Sequence, residues 1–411
     1  MFQKKLFPIY LLTIVNTLGF SILLPILPYV MEPYNGWALF YGLILSVYSV
    51  FQFFACPFFG SLSDSFGRKK ILIFTQVGTF LSWVVFWLAL LIPPEYQLFG
   101  YADALIIILL ARVVDGITGG NQVVANAYIA DVTTEEERTS SFATIGVLTG
   151  IGLILWPVLG WLSSLGPWWY LGTAFVAWSI SLVTLYFITF HLPESLPTER
   201  RTHKSVRLSL KENNVFLKIQ WFMKNVYISH LFIVIFFFAF IFNGFVTVYL
   251  RYAKIILHAN LMIASGLWAI VGIFFALNQA FVLRQLSKIL NDQKLIFFGF
   301  IFLLVGLGLF TKIPQFWWFL GLSFLTTVWV ALCLPTFKSM LTKHTDPSLQ
   351  GTALGVEESL YALNRIIAPL IGWFIRWINK VAIFGLFSLL CLIPLFIVYK
   401  MIMSSRRNMN V

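Results

Sequence analysis

Long apolar runs follow one another along almost the whole chain, separated by short polar turns. Runs of spanning length fall near 6–31, 38–62, 70–92, 103–130, 139–164 and 167–191, and again near 227–252, 259–285, 294–313, 315–343, 349–378 and 381–403. Each is long enough for the roughly 20 apolar residues that carry a helix through a hydrocarbon core. In lipid the backbone must satisfy its own N–H and C=O groups, so runs of this length are predicted as helices. The pattern predicts an all-α membrane protein of twelve transmembrane helices. One long polar stretch, 192–226, interrupts the pattern and carries Arg200, Arg201, Lys204, Arg207 and Lys211. It divides the chain into an N-terminal six-helix bundle (1–191), a linker (192–226) and a C-terminal six-helix bundle (227–411).

Composition supports the bilayer as solvent. The 411 residues are 59% hydrophobic and only 11% charged, against about a quarter charged in a soluble domain. A net charge of +12 would suit a nucleic-acid partner, but the Lys and Arg sit in short clusters between apolar runs, as loops on the cytoplasmic side require. Nucleic acid is therefore not expected. Lys4 and Lys5 ahead of the first run imitate a signal peptide. That run is too long for one and no small-residue cleavage site follows, so it is read as a retained span. Cys56, Cys333 and Cys391 all lie inside apolar runs, and no metal spacing appears among the scattered histidines.

Charge also predicts orientation. The termini, the linker and the turns after spans 2, 4, 8 and 10 collect most of the Lys and Arg, which places them in the cytoplasm. Arg251, Lys254, Lys312, Arg376 and Lys380 fall on the other side, so the second half obeys the rule less well. Trp168, Trp169, Trp317, Trp318, Trp373 and Trp377 lie near expected outer ends, as an interfacial belt predicts. The absence of an N-x-[ST] acceptor favours a bacterial inner membrane. The two halves repeat: Pro157-Val158-Leu159-Gly160-Trp161 matches Pro369-Leu370-Ile371-Gly372-Trp373, and the same offset pairs Arg138-Thr139 with Gln350-Gly351. Parallel repeats of about six spans are a transporter feature, although Pro-x-x-Gly is also common in packed membrane helices.

The most informative local pattern joins spans 2 and 3: Gly60-Ser61-Leu62-Ser63-Asp64-Ser65-Phe66-Gly67-Arg68-Lys69-Lys70. Gly60 permits close helix approach and Gly67 a tight turn at positive φ. Asp64 places a carboxylate where it can face a helix N-terminus. A merely solvated basic turn explains the cations but not Gly and Asp at these spacings. The stretch resembles the signature loop of the major facilitator superfamily, Gly-x-Leu-x-Asp-x-x-Gly-Arg-Lys. The corresponding turn after span 8, Arg284 to Asp292, keeps Leu286 but loses both glycines, and Lys288 stands where Asp64 does.

Span 4 reads Ala111-Arg112-Val113-Val114-Asp115-Gly116, then Gly119-Gly120-Asn121 and Ala127-Tyr128-Ile129-Ala130-Asp131. This resembles the drug:proton antiporter branch that includes the tetracycline efflux pumps. The resemblance implies that Arg112 is a buried arginine linked to proton coupling. It also implies a conformational latch of Gly60, Asp64, Gly67, Arg68 and Asp131, with Asp131 the acidic partner of Arg68. Independently, Arg112 and Asp115 are three apart and share a helix face with Asn126. Ionised groups at that depth are costly unless paired or facing water. The pair either neutralises itself and only positions helices, or yields to a proton or a solute, because protonating Asp115 frees Arg112.

Span 11 offers Glu357 and Glu358, with Glu358 and Arg365 seven apart on one face and Asn364 beside them. These carboxylates carry a proton, bind a cationic solute, or pair statically with Lys338 and Arg365. Further solute-contact candidates are Asn16, Gln52, Asn126, Trp156, Asn243 and Asn364, each of which is also an ordinary helix–helix hydrogen-bonding residue. The likeness to the antiporters has two departures. Many have an aspartate where Asn16 stands, ahead of Gly19, Pro25 and Pro28, and they usually have Gly before the span-5 proline where this chain has Trp156.

No nucleotide-cradling Gly-x-x-x-x-Gly-Lys-[ST] is present. The chain is expected to be no enzyme and to need no cofactor beyond an ion gradient, with protons as the ion. The leading expectation is a monomeric secondary transporter exporting a lipophilic drug or metabolite by alternating access. The alternatives are a specific carrier for a siderophore, nutrient or amino-acid-like solute, and a non-transporting sensor or scaffold.

Overall fold

The structure is a computed structural model and describes residues 7–21, 37–93, 95–98, 101–164, 169–201, 214–256, 261–310, 316–374 and 382–409. Helix occupies part of every apolar run read from the sequence. In chain order the helices are α1 (Phe7–Ser21), α2 (Trp37–Phe66), α3 (Arg68–Ala89), α4 (Asp103–Thr118), α5 (Asn121–Val132), α6 (Glu135–Ser164) and α7 (Trp169–His191). There follow α8 (Val215–Met223), α9 (Val226–Ile256), α10 (Leu261–Leu277), α11 (Asp292–Phe310), α12 (Phe316–Lys343), α13 (Gln350–Phe374), α14 (Ala382–Leu390) and α15 (Leu392–Met409). Among the described residues, eight helices are long and apolar enough to cross a membrane.

Three local features depart from uninterrupted helices. The run 103–130 breaks at Gly119–Gly120 into α4 and α5. α10 continues through a π-helical segment, Asn278–Leu283, where one extra residue per turn loosens the backbone ladder. Between α3 and α4 a two-stranded antiparallel ribbon pairs Gln97 with Ala102 and Leu98 with Tyr101.

The chain forms two compact units. One contains Met1–Val132, Ile151–Val215 and Pro347–Ala362; the other contains Thr133–Gly150, Phe216–Asp346 and Leu363–Val411. These units are drawn by packing and the sequence halves by repetition. The two divisions differ chiefly at α6 and α13, whose first turns each join the unit built from the opposite half of the chain.

In the first unit α3 packs against α4 and α7, and α2 against α4. Its core sets Trp83, Phe86, Leu105 and Ile108 among Ala89, Ala104, Ala111, Ala174 and Ala177. The alanines let backbones approach, which is how helices gain dispersion energy when lipid supplies little hydrophobic drive. In the second unit α11 packs against α12, α14 and α15. Its interior is aromatic: Trp329 lies 4.5 Å from Phe238 between ring centroids, and Phe310 stacks on Phe384 at 5.2 Å. The outside is also apolar, with Phe74, Phe190, Trp317 and Leu389 all exposed, as lipid-facing surfaces require.

Several sequence candidates lie outside the described residues, wholly or in their side chains: Pro25, Pro28, Trp156, Pro157, Gly160, Trp161, Trp168, Trp169, Lys204, Arg207, Lys211, Arg251, Lys254, Lys312, Pro369, Gly372, Trp373, Arg376, Trp377 and Lys380.

Candidate functional site

The Gly60–Lys70 stretch ends α2 and starts α3, with the turn at Gly67. Gly67 has φ +98°, and a Cβ there would collide with the Glu194 carboxylate. The conformation and the space both exclude a side chain. Asp64 is buried and points at the start of α13. Its Oδ1 accepts the Gly351 N–H at 2.9 Å, and its Oδ2 accepts the Thr352 N–H at 2.8 Å and the Thr352 hydroxyl at 2.7 Å. Two orphan N–H groups of a helix N-terminus thus meet a carboxylate, which also complements the helix dipole. The approach needs glycine on both sides, because a Cβ at Gly60 would strike the Gly351 carbonyl and one at Gly351 would lie 2.5 Å from the Gly60 carbonyl oxygen.

Arg68 ties this cap to a second acid. Its Nη1 donates to Asp64 Oδ1 at 2.6 Å and to Ser63 Oγ at 2.7 Å, while its Nε donates to Asp131 Oδ2 at 2.9 Å. Arg68 is wholly buried, so the guanidinium depends on both carboxylates for its solvation. The five latch candidates, Gly60, Asp64, Gly67, Arg68 and Asp131, therefore meet in one place. Two residues that sequence reasoning missed join them from the polar stretch after α7. Glu194 accepts the Arg68 N–H at 2.8 Å and the Lys69 N–H at 3.2 Å, capping α3, and Ser195 Oγ donates to Asp131 Oδ2 at 2.9 Å.

A second polar set lies in the helices of the same unit. Arg112 Nη1 and Asp115 Oδ2 are 3.0 Å apart on α4. The guanidinium carbon is 4.8 Å from the Trp83 ring centroid and 5.6 Å from that of Phe86. Aromatic faces lend a cation partial compensation. Arg112 Nε and Nη2 are buried and have no hydrogen-bond partner among the described residues. Asp115 has Ser82 and Thr79 as its further polar neighbours. Around them Gln76 Nε2 donates to Ser181 Oγ at 2.9 Å, and Asn121 Nδ2 lies 3.4 Å from both Gln76 Oε1 and Thr79 Oγ1. An amide chain runs from Asn16 Nδ2 to Gln122 Oε1 at 2.9 Å and from Gln122 Nε2 to Asn126 Oδ1 at 3.3 Å.

The other candidates are more dispersed. Gln52 donates to the Tyr48 hydroxyl at 3.3 Å, Asn243 to the Ala239 carbonyl one turn back at 2.8 Å, and Asn364 to the Phe236 carbonyl at 3.5 Å. Glu357 and Glu358 are buried on the part of α13 that belongs to the first unit, and Arg365 is half-buried on the part that belongs to the second. Among the described residues no group of His, Cys, Asp or Glu is arranged to hold a metal ion.

Residues 9–369 match the Major Facilitator Superfamily. The chain is 24% identical over 368 residues to the tetracycline resistance protein, class B, of Escherichia coli, covering 88% of this chain and 85% of that protein. It is 25% identical over 456 residues to the major facilitator superfamily domain-containing protein 10 of Mus musculus, covering 97% and 93%. In structure it is similar to the human organic anion transporter MFSD10 (TETRAN), with TM-score 0.83, 22% identity and coverage of 95% and 98%. It also resembles the proton:xylose symporter XylE, with TM-score 0.74, 16% identity and coverage of 96% and 95%. The match runs through most of the chain and the fold agrees with it: the protein is a multi-pass membrane transporter, not an enzyme, and belongs to the Major Facilitator Superfamily.

Proposed function

We propose that this protein is a proton-coupled carrier of an organic solute bearing a carboxylate or similar anion, with Arg112 as the anchor. The observation that carries this reading is the two nitrogens, Nε and Nη2, that have no hydrogen-bond partner among the described residues on a buried guanidinium flanked by two aromatic rings. A planar guanidinium fork matches a carboxylate in two parallel hydrogen bonds, and the rings suit the apolar body of a lipophilic anion. The likeness to an organic anion transporter supports the same class. Export of a lipophilic drug against protons is the second reading, supported by the tetracycline resistance relatives.

Coupling follows from the Arg112–Asp115 pair. When Asp115 is ionised, it neutralises Arg112; when it takes a proton, Arg112 is left to bind an anion. Proton and anion then favour one another's binding, and linkage makes the effect reciprocal. Such a carrier moves both in the same direction. Glu357 and Glu358 are auxiliary proton carriers in this scheme, and Asn16, Gln52, Asn126, Trp156, Asn243 and Asn364 remain the candidate solute contacts.

The proposed architecture is twelve spans in two six-helix repeats, 1–191 and 227–411, joined by the linker 192–226. The Gly60–Arg68 turn with Asp131 serves as the latch that holds the start of α13 in one stage of alternating access. The proposed setting is a bacterial inner membrane, with both termini in the cytoplasm and the carrier working as a monomer.

The test is uptake into proteoliposomes of a panel of lipophilic carboxylates, sugars and lipophilic cations, with Arg112→Gln and Arg112→Lys in parallel. The proposal expects saturable carboxylate uptake, lost in Arg112→Gln and strongly reduced in Arg112→Lys, which keeps the charge but not the fork. Uptake of the cations alone would support the drug-export reading instead.

A further inference from the structure

The turn after α10 is a degenerate copy of the latch turn by sequence, but its charges form an assembled network. The register that sets Leu286 opposite Leu62 sets Lys288 opposite Asp64 and Asp292 opposite Arg68. The register that sets Pro369 opposite Pro157 sets Lys343 opposite Asp131. All three charged positions of the first latch recur in the second half with the opposite sign.

Two of the reversed charges meet. Lys343 Nζ lies 2.7 Å from Asp292 Oδ2, where the first copy has Arg68 Nε 2.9 Å from Asp131 Oδ2. Asp292 also reaches the incoming helix, as Asp64 does in the first copy. Its Oδ1 accepts from Thr139 Oγ1 at 3.0 Å, and Thr139 Oγ1 lies 2.8 Å from Ser339 Oγ, with both hydroxyls buried. Thr139 occupies the repeat position of Gly351. A side-chain hydroxyl on α6 thus stands in for the backbone N–H that α13 offers.

The placement of the remaining charge explains how reversal is tolerated. α13 brings no acid in its first turn, so the first turn loop supplies Asp64. α6 carries Glu135, Glu136 and Glu137 in its own first turn. Its N-terminus already has its anions, and the turn after α10 carries the exposed Arg284 and Lys288 instead of an acid. Lys343 is close enough to act electrostatically on Glu136.

We infer that Asp292, Lys343 and Thr139 form a second latch of reversed polarity, which positions the start of α6 during transport as Asp64, Arg68 and Asp131 position the start of α13. The second latch is wetter than the first: the Asp292 and Lys343 side chains are 19% and 22% exposed, whereas Arg68 is fully buried. It therefore opens more easily and is more sensitive to salt.

Thiol labelling tests this without knowledge of the solute, so its failure is separable from failure of the anion-carrier reading. A single cysteine replaces Ala143, one turn beyond Thr139 on α6 and buried with Leu283 and Leu332, in the full chain with Cys56, Cys333 and Cys391 replaced by alanine. Thr139 and Ser339 stay in place, and labelling by a neutral maleimide is followed in membranes. Asp292→Lys is expected to speed labelling about fivefold, and adding Lys343→Asp should return it to within about twofold of the starting rate. Asp292→Asn, which keeps the side-chain shape, is expected to speed it about twofold. An unchanged rate in Asp292→Lys or Asp292→Asn would overturn the inference. So would a double reversal labelled as fast as the single one while the protein still elutes as one sharp species.

Discussion

The carboxylate of Asp64 accepts the backbone N–H of Thr352 at 2.8 Å, from a residue 288 positions along the chain. A single acid at the end of one helix thereby caps another that lies far away in sequence. The same acid is held by Arg68, so the cap and the ion pair are one unit. Releasing the start of α13 exposes a buried guanidinium and two buried carboxylates together, which makes the contact close to all-or-none.

That coupling gives the first prediction. Asp64→Asn keeps the size of the side chain but removes its charge from both Arg68 and the α13 N-terminus. Breaking one partner of a buried ion pair costs about 3–5 kcal/mol. Much of that should appear as faster thiol labelling of a cysteine placed at Thr352, measured in membranes at fixed temperature, with transport abolished. Labelling as slow as in the parent would show that the cap carries no closing energy.

The two glycines of the turn should fail differently. Gly60→Ala drives a methyl into the Gly351 carbonyl, an overpacking expected to cost about 1–3 kcal/mol. That cost falls on the packed state alone and should favour the open one. Gly67→Ala adds a positive-φ strain of about 1–3 kcal/mol to a collision with Glu194, and it should destabilise the turn in every state. Thermal melting in detergent separates them, with Gly67→Ala melting lower and Gly60→Ala changed mainly in thiol accessibility.

Glu194 should matter although it lies beyond the last helix of the first half. Glu194→Ala leaves the Arg68 and Lys69 N–H groups uncapped, a loss of about 1 kcal/mol. Glu194→Gln can restore one of those hydrogen bonds and should recover part of the loss in thermal stability. Equal melting of Glu194→Ala and the parent would remove Glu194 from the latch.

Much of this was legible in the sequence, for physical reasons. Lipid forces backbone self-satisfaction, so the helical runs announce themselves by length and hydropathy. Asp64, Gly67 and Arg68 announce themselves because charge and glycine at a membrane edge are costly without a partner or a turn. The i,i+3 spacing of Arg112 and Asp115 already required a shared face, and they pair at 3.0 Å. Glu194 and Ser195 were not legible, because a polar stretch has no periodicity to say which residue folds back. Nor was the break at Gly119–Gly120, since two glycines are tolerated in many membrane helices. Lys288 marked the second turn as degenerate, and only the placement of Asp292 beside Lys343 and Thr139 shows its charge pattern reversed rather than lost.

The Arg112 anchor predicts a thermodynamic signature apart from transport. A carboxylate solute identified in the panel should lose at least about tenfold in affinity with Arg112→Gln, equivalent to about 1.4 kcal/mol. Its uncharged amide analogue should lose little. Calorimetry on purified protein measures both, and equal losses for acid and amide would mean that Arg112 holds the fold and not the solute.

Proton movement during anion entry tests the central claim most directly. In proteoliposomes loaded with a pH-sensitive dye, adding the carboxylate outside should acidify the lumen in step with anion uptake. Asp115→Asn should leave anion exchange intact while abolishing the acidification and the dependence of uptake on external pH. Alkalinisation on anion entry, or acidification that persists unchanged in Asp115→Asn, would contradict the account.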